Sequence, residues 1–236
     1  MKVYFDNAAT TKLHPKVLEK MLPFYKDNFG NPSSFHSVGK KARVAIEAAR
    51  EIAADFIGAN PGEIYFTSGG TESINFALNG IAKTNLNETG KNYLITTAVE
   101  HKAVLEKHHD LQQNGFDVEI LPVKSDSSID ENLIESKLTE KTSLVSVMFT
   151  NNETGTINDI KTISQKLSPE DIYFFTDAVQ AFGKVKIDVN DLGIHSLSAS
   201  AHKITERNWI AVCKKRDSPF SASVWRKSRT KPQSRD

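Results

Sequence analysis

Cysteine is nearly missing from this chain: Cys213 is the only one in 236 residues. An intrachain disulfide is therefore impossible and a metal site built on CxxC pairs is excluded, which fits a reducing compartment. Long apolar runs are missing as well. No segment approaches the ~18 apolar residues of a membrane helix, and the opening MKVYFDNAATT has no apolar stretch able to act as a signal peptide. The expectation is a cytoplasmic protein without a membrane partner and without a metal. Glycine, finally, is absent beyond Gly193, so nothing in the last part of the chain offers the backbone freedom of a ligand-hugging turn.

What is present is an ordinary globular composition. A hydrophobic fraction of 39% in a chain of this length is enough to bury a real core, as one large domain or two small ones. The net charge of +1 conceals an asymmetry: residues 204–236 carry nine Lys or Arg against three acids, leaving the remainder acidic. A basic tail on an acidic body reads either as a nucleic-acid arm or as a segment outside the main folding unit. Its aromatics (Trp209, Phe220, Trp225) are few and not interleaved with the charges, so nucleic acid is not the expected partner. Residues 205–236 are rich in Ser, Arg, Lys and Pro without amphipathic period, the composition of a disordered segment.

Up to about residue 200 helical and strand patterns alternate. Helices are predicted over 39–57, 71–82, 102–114, 131–138 and 159–167, from apolar residues at helical spacing and from stops such as Gly58 and Gly115. Strands are predicted over 63–67, 92–97, 117–123, 143–149 and 171–176, with short β-like stretches at KVKIDV and HSLSA. This alternation implies an α/β fold, a mostly parallel sheet sandwiched by helices. Ligands of such sheets bind beyond the carboxyl ends of the strands, so residues just after strands carry the chemical information.

Five short stretches occupy such positions. TSGGTES (67–73) joins a strand to a helix, and Gly70 with Thr71 could form an anion cradle from unpaired helix N–H groups and a hydroxyl. A plain Gly-Gly turn with threonine as cap is the alternative, and neither GxxxxGK[ST] nor GxGxxG is matched. His101 in AVEHKAV could stack on a planar ligand or move protons, or simply cap the following helix. Asn152 in NNETG lies in a turn after a strand. Asp177 in TDAVQ ends a strand, where a carboxylate can cap a helix or hold a proton on a heterocyclic nitrogen, and Gln180 lies one helical turn further. SASAHK places Ser200, His202 and Lys203 after HSLSA. A desolvated lysine there becomes a nucleophile able to form a Schiff base, and an exposed one does nothing. An anion cradle, a ring clamp, a carboxylate and a nucleophilic lysine on one sheet edge are together what pyridoxal 5'-phosphate requires.

The order and spacing of YFDNAATT, GNPSSFH, TSGGTES, VEHKAV, NNETG, TDAVQ and SASAHK resemble those of the cysteine desulfurases, the NifS/IscS-like enzymes of the class V aminotransferase group. The resemblance implies the large domain of the type I fold of pyridoxal-phosphate enzymes over 15–204, with residues 1–14 belonging to a small domain whose C-terminal part is missing. It implies catalytic roles for Lys203, Asp177 and His101: the lysine bonded to the cofactor, the partner of the pyridine nitrogen and the residue stacked on the ring. It gives Gly70, Thr71, Ser200 and His202 to the phosphate, and Asn152 and Gln180 to the ring hydroxyl and the substrate side. The implied reaction takes sulfur from L-cysteine, leaves alanine and loads a persulfide for iron–sulfur cluster or thio-cofactor synthesis. The implied partners are a second copy of the chain and a sulfur-acceptor or scaffold protein. Other class V enzymes, such as selenocysteine lyases or aminotransferases, share NNETG and SASAHK in part. A non-enzymatic remnant with a basic binding tail is the remaining alternative.

After AHK such enzymes continue with a segment of the type YGPKG. Here the chain reads ITERNWIAVCKKRD, and the family's downstream persulfide cysteine has no counterpart, because Cys213 follows Lys203 by only ten residues. The expectation is a truncated or frameshifted chain after about residue 204, with an unpaired sheet edge and low or no activity.

Overall fold

The carboxyl ends of all but one strand of the central sheet lie on the same edge. The computed structural model describes residues 1, 3–168, 171–204 and 209–213, with backbone alone at 202, 204 and 209–213. Its sheet comprises β1 (Ile64–Thr67), β2 (Tyr93–Thr97), β3 (Asp117–Leu121), β4 (Thr142–Ser146), β5 (Tyr173–Asp177), β6 (Ser196–Ser200) and β7 (Trp209–Cys213). Their spatial order is β1-β7-β6-β5-β4-β2-β3. The pairs β3/β2, β2/β4, β4/β5 and β5/β6 are parallel, and β7 lies antiparallel between β6 and β1. Thr67 and Ser200 both pair opposite Trp209, so β1 and β6 end on the same edge and β7 alone runs backwards.

Helices cover both faces, as the alternation of strands and helices requires. On one face Ile95, Val145, Phe174 and Leu197 pack against α2 (Ser37–Ile57), α5 (Glu131–Ser136) and α6 (Ile160–Leu167). On the other Leu94, Leu144, Tyr173 and Phe175 pack against α3 (Gly70–Thr89) and α4 (Lys102–Gln113). Consecutive residues such as Leu94 and Ile95 belong to opposite cores, which is the period-2 rule applied to strands buried on both sides.

Several sequence expectations change. The helix expected over 71–82 runs on to Thr89, because polar residues there are buried: Asn85 donates to the carbonyl and hydroxyl oxygens of Ser143, so the apolar period fades while the helix continues. Helix α1 (Pro15–Lys26) was not anticipated. It has no buried residue, so no core-facing stripe marks it, although Pro15 occupies the first helical turn where its missing N–H costs nothing. KVKIDV is not a strand. Ile187 and Val189 are buried in an irregular segment, with Val189 N–H donating to the Ile57 carbonyl, since β6 is already flanked by β5 and β7.

The disorder expected over 205–236 is contradicted at 209–213, which form β7 between edge strand β1 and β6. Composition averaged over a basic tail hides the short run WIAVC, whose branched and aromatic residues suit a strand once two neighbours offer hydrogen bonds. The unpaired edge expected beside Lys203 is therefore filled. Residues 205–208 and 214–236, the rest of that expectation, lie outside the described residues.

Candidate active site

A cavity of about 550 Å³ opens at the carboxyl edge, within the range of small-molecule and cofactor sites. The strand ends supply its wall: Gly70 and Thr71 after β1, His101 after β2, Met148, Thr150 and Asn152 after β4, Asp177 and Gln180 at and after β5, and Lys203 after β6. The N-terminal segment closes one side with Asp6, Ala8 and Ala9. Seven of the nine residues proposed from the sequence thus converge. Ser200 is buried and does not line the cavity, and the side chain of His202 lies outside the described residues.

Asp177 is the most constrained of these groups. It is 5% exposed, and Oδ1 accepts from the Val179 N–H at 3.0 Å. Burial pushes its carboxyl above the usual range, while the Val179 N–H and the charges of His101 and Lys203 act in the opposite direction. Lys203 is shifted the other way. Desolvation, and then the nearby Lys184, lower its proton affinity against the pull of Asp6 and Asp177. Its Nζ donates to the Ala8 and Ala9 carbonyls, at 2.5 Å for Ala9, and Gln180 Nε2 donates to the same Ala8 oxygen at 3.0 Å. The N-terminal stretch DNAAT is thereby tied to the turn after β6, 195 residues further along the chain.

His101 performs the cap and lines the cavity at once. Its Nδ1 accepts from the Ala103 N–H at 3.1 Å, which fixes the ring at the start of α4. At the start of α3 the N-cap is Gly69, extended and without a side chain to cap the helix. The Ser68 N–H and hydroxyl instead reach Glu72, at 2.6 and 2.7 Å. Ser73 Oγ donates to Ser198 Oγ at 2.8 Å, locking this helix to the strand that leads to Lys203.

Sequence reasoning missed Asp6, Ala8 and Ala9 as wall residues, because only the fold brings the first ten residues to the sheet edge. It also missed Glu100, buried beside His101. Its Oε1 accepts from Thr97 Oγ1 at 2.8 Å and from the Met148 N–H at 2.7 Å. Burial, with a contribution from Asp177, raises this carboxyl to about 8 against those two hydrogen bonds. A glutamate next to a histidine carries no signal of burial by itself.

A primary amine with weakened proton affinity, a buried carboxylate and the open start of an α-helix on one cavity wall suit an anionic aldehyde with a heteroaromatic ring. The donor set therefore fits pyridoxal phosphate. No cluster of His, Cys, Asp and Glu able to hold a metal occurs among the described residues.

Fold and site define a class. The chain belongs to the class-V aminotransferase family, whose model matches residues 3–217. The match extends past residue 204, where the likeness was expected to stop, and takes in β7. Within that family the chain is similar to the cysteine desulfurase IscS of Clostridium botulinum (strain Kyoto / Type A2), 48% identical over 202 residues that cover 86% of this chain and 50% of the relative. Among solved structures it is similar to a NifS-like protein, with a TM-score of 0.87 and 40% identity, covering 91% of this chain and 60% of that one. It is also similar to a structure described as SspA in complex with cysteine, with a TM-score of 0.86 and 41% identity, covering 90% and 61%. The chain spans about half the length of the curated relatives it matches.

Proposed function

We propose that this chain supplies the cofactor-binding part of a pyridoxal-phosphate-dependent cysteine desulfurase. The reaction of the whole enzyme converts L-cysteine to L-alanine and passes the sulfur to an acceptor for iron–sulfur cluster or thio-cofactor synthesis. The observation that carries this reading is the meeting of Lys203 and buried Asp177 in one cavity with the start of α3. Bound there, pyridoxal phosphate supplies an electron sink for the bonds around an amino acid's α-carbon.

The residues divide the work. Lys203 supplies the amine that bonds to the cofactor aldehyde, and its weakened proton affinity favours the neutral, nucleophilic form. Asp177 would hold negative charge against the ring nitrogen and keep a proton there. Gly70 and Thr71 meet the phosphate with backbone N–H groups and the helix dipole. His101, fixed by its cap, would lie against the ring. Asn152 and Gln180 would face the ring hydroxyl and the substrate, and only the family resemblance assigns Ser200 and His202 to the phosphate side. Residues 1–14 go with a small domain and 15–204 form the large one. The active unit is a homodimer, located in the cytoplasm, with a sulfur acceptor as its protein partner.

Cys213 does not carry the persulfide in this reading. Its backbone pairs with Ser196, whereas Lys203 follows the opposite end of β6. Four residues along a strand place its backbone about 13 Å from the cavity edge, in a strand paired on both sides. The test is an absorbance titration with pyridoxal phosphate followed by a sulfide assay with L-cysteine. The chain is expected to give a cofactor band that Lys203→Ala abolishes, with little or no sulfide. A folded chain without any band refutes the reading.

A further inference from the structure

Glu100 is a buried carboxyl group behind the site rather than in it. It is 6% exposed and does not line the cavity. One of its oxygens joins two strand ends: Oε1 accepts from Thr97 Oγ1 at the end of β2 and from the Met148 N–H beyond β4. The same two loops meet a second time where Asn151 Nδ2 donates to the Val99 carbonyl at 3.3 Å. From the other side Asn158 Nδ2 donates to the Met148 carbonyl at 2.8 Å, so the peptide at Met148 is held at both polar ends. What these loops carry is the cavity wall, His101 on one and Met148, Thr150 and Asn152 on the other.

We propose that Glu100 is a positioning residue for the cofactor site: its carboxyl group fastens the loop after β2 to the loop after β4 and so sets His101 against the β4 side of the cavity. This rests on the cofactor reading above and adds a residue to it.

The charge state follows from the surroundings. Oε2 of Glu100 has no hydrogen-bond partner among the described residues. The charged group that acts on Glu100 is Asp177 of β5, an anion. Asp177 in turn is faced by His101 at the start of α4 and Lys203 after β6, and Lys203 by Asp6 and Lys184. Two buried carboxyl groups within electrostatic reach do not both ionise cheaply. Asp177 has an N–H and two basic neighbours, so it takes the charge and Glu100 keeps the proton. Neutral Glu100 leaves Asp177 as the charged member of this buried carboxyl pair, the state in which Asp177 could hold a proton on a heterocyclic nitrogen. Ionisation of Glu100 near pH 8 adds a second buried negative charge and loads the same wall with repulsion.

Glu100→Gln keeps the shape and the acceptor oxygen of the protonated acid, and Glu100→Ala removes the tie. The test compares both with the parent chain in two measurements. In infrared difference spectra without cofactor, the parent is expected to show the C=O stretch of a protonated carboxyl that disappears near pH 8 and is missing in Glu100→Gln. With pyridoxal phosphate, Glu100→Gln is expected to match the parent's band and affinity at pH 7 while losing a spectral step near pH 8. Glu100→Ala is expected to bind the cofactor about tenfold more weakly, the loss of roughly one buried hydrogen bond. The proposal is overturned if the carboxyl band persists in Glu100→Gln. It is equally overturned if both variants keep the parent's affinity and its pH step. Failure of the parent to bind pyridoxal phosphate sinks the cofactor reading and this proposal together, whereas a normal parent with unaffected variants sinks this proposal alone.

Discussion

His108 offers a quantitative test of how α4, the helix capped by His101, is packed. Its side chain is fully buried under α4, Nδ1 meets the Val104 carbonyl at 2.9 Å, and Nε2 has no hydrogen-bond partner among the described residues. A carbonyl can only accept, so Nδ1 donates, and burial keeps Nε2 unprotonated near neutral pH. Burial lowers the imidazole from 6.5 to about 4. The unfolded chain therefore binds a proton near pH 6.5 that the folded chain refuses until about pH 4. The stability from this group is complete above pH 6.5 and is lost as the pH falls through that window. Moving from pH 7 to pH 5 removes about 2 kcal/mol through this residue alone. Urea unfolding of the parent and of His108→Leu at both pH values isolates it, because all other titrations cancel in the difference. The parent should lose about 2 kcal/mol relative to the variant on acidification. A difference that is the same at both pH values would show that the imidazole is not buried and neutral, and would refute the packing of α4 described above.

Two further perturbations probe the frame that holds the site. Ser73→Ala withdraws the hydroxyl that meets Ser198 in the core and should cost about 1–2 kcal/mol. The pair Ser73→Ala and Ser198→Ala together should cost less than the sum, a non-additivity read by denaturant midpoints. Phe174→Ala, at a position with no exposure between β4 and β6, should cost about 3–5 kcal/mol in the same assay, and a cost below about 1 kcal/mol would mean that its face of the sheet is not packed.

Reading the chain without its fold recovered the alternation of strands and helices and the residues that follow strands. Both are local: an apolar period and a turn signal survive in any window of ten residues. That is why Gly70, Thr71, His101, Asn152, Asp177, Gln180 and Lys203 could be named, and why they converge once the sheet is parallel. Helix α1 escaped because a helix with no buried residue leaves no core-facing stripe, and the length of α3 escaped because Asn85 is polar yet buried against Ser143. The five residues of β7 escaped because strand pairing depends on neighbours, not on the charge of the segment around them.

The amino-acid sequence by itself thus determined the periodic elements and, through the strand-end rule, the chemistry gathered at one edge. Only the tertiary structure decided what depends on distance in space rather than along the chain. It placed Ala8 and Ala9 against Lys203, nearly two hundred residues away. It put β7 between β1 and β6, and it buried Glu100 between two loops with Asp177 as its charged neighbour. Burial and long-range pairing set the proton affinities of Asp177, Lys203 and Glu100, and neither is written in the residues that flank them.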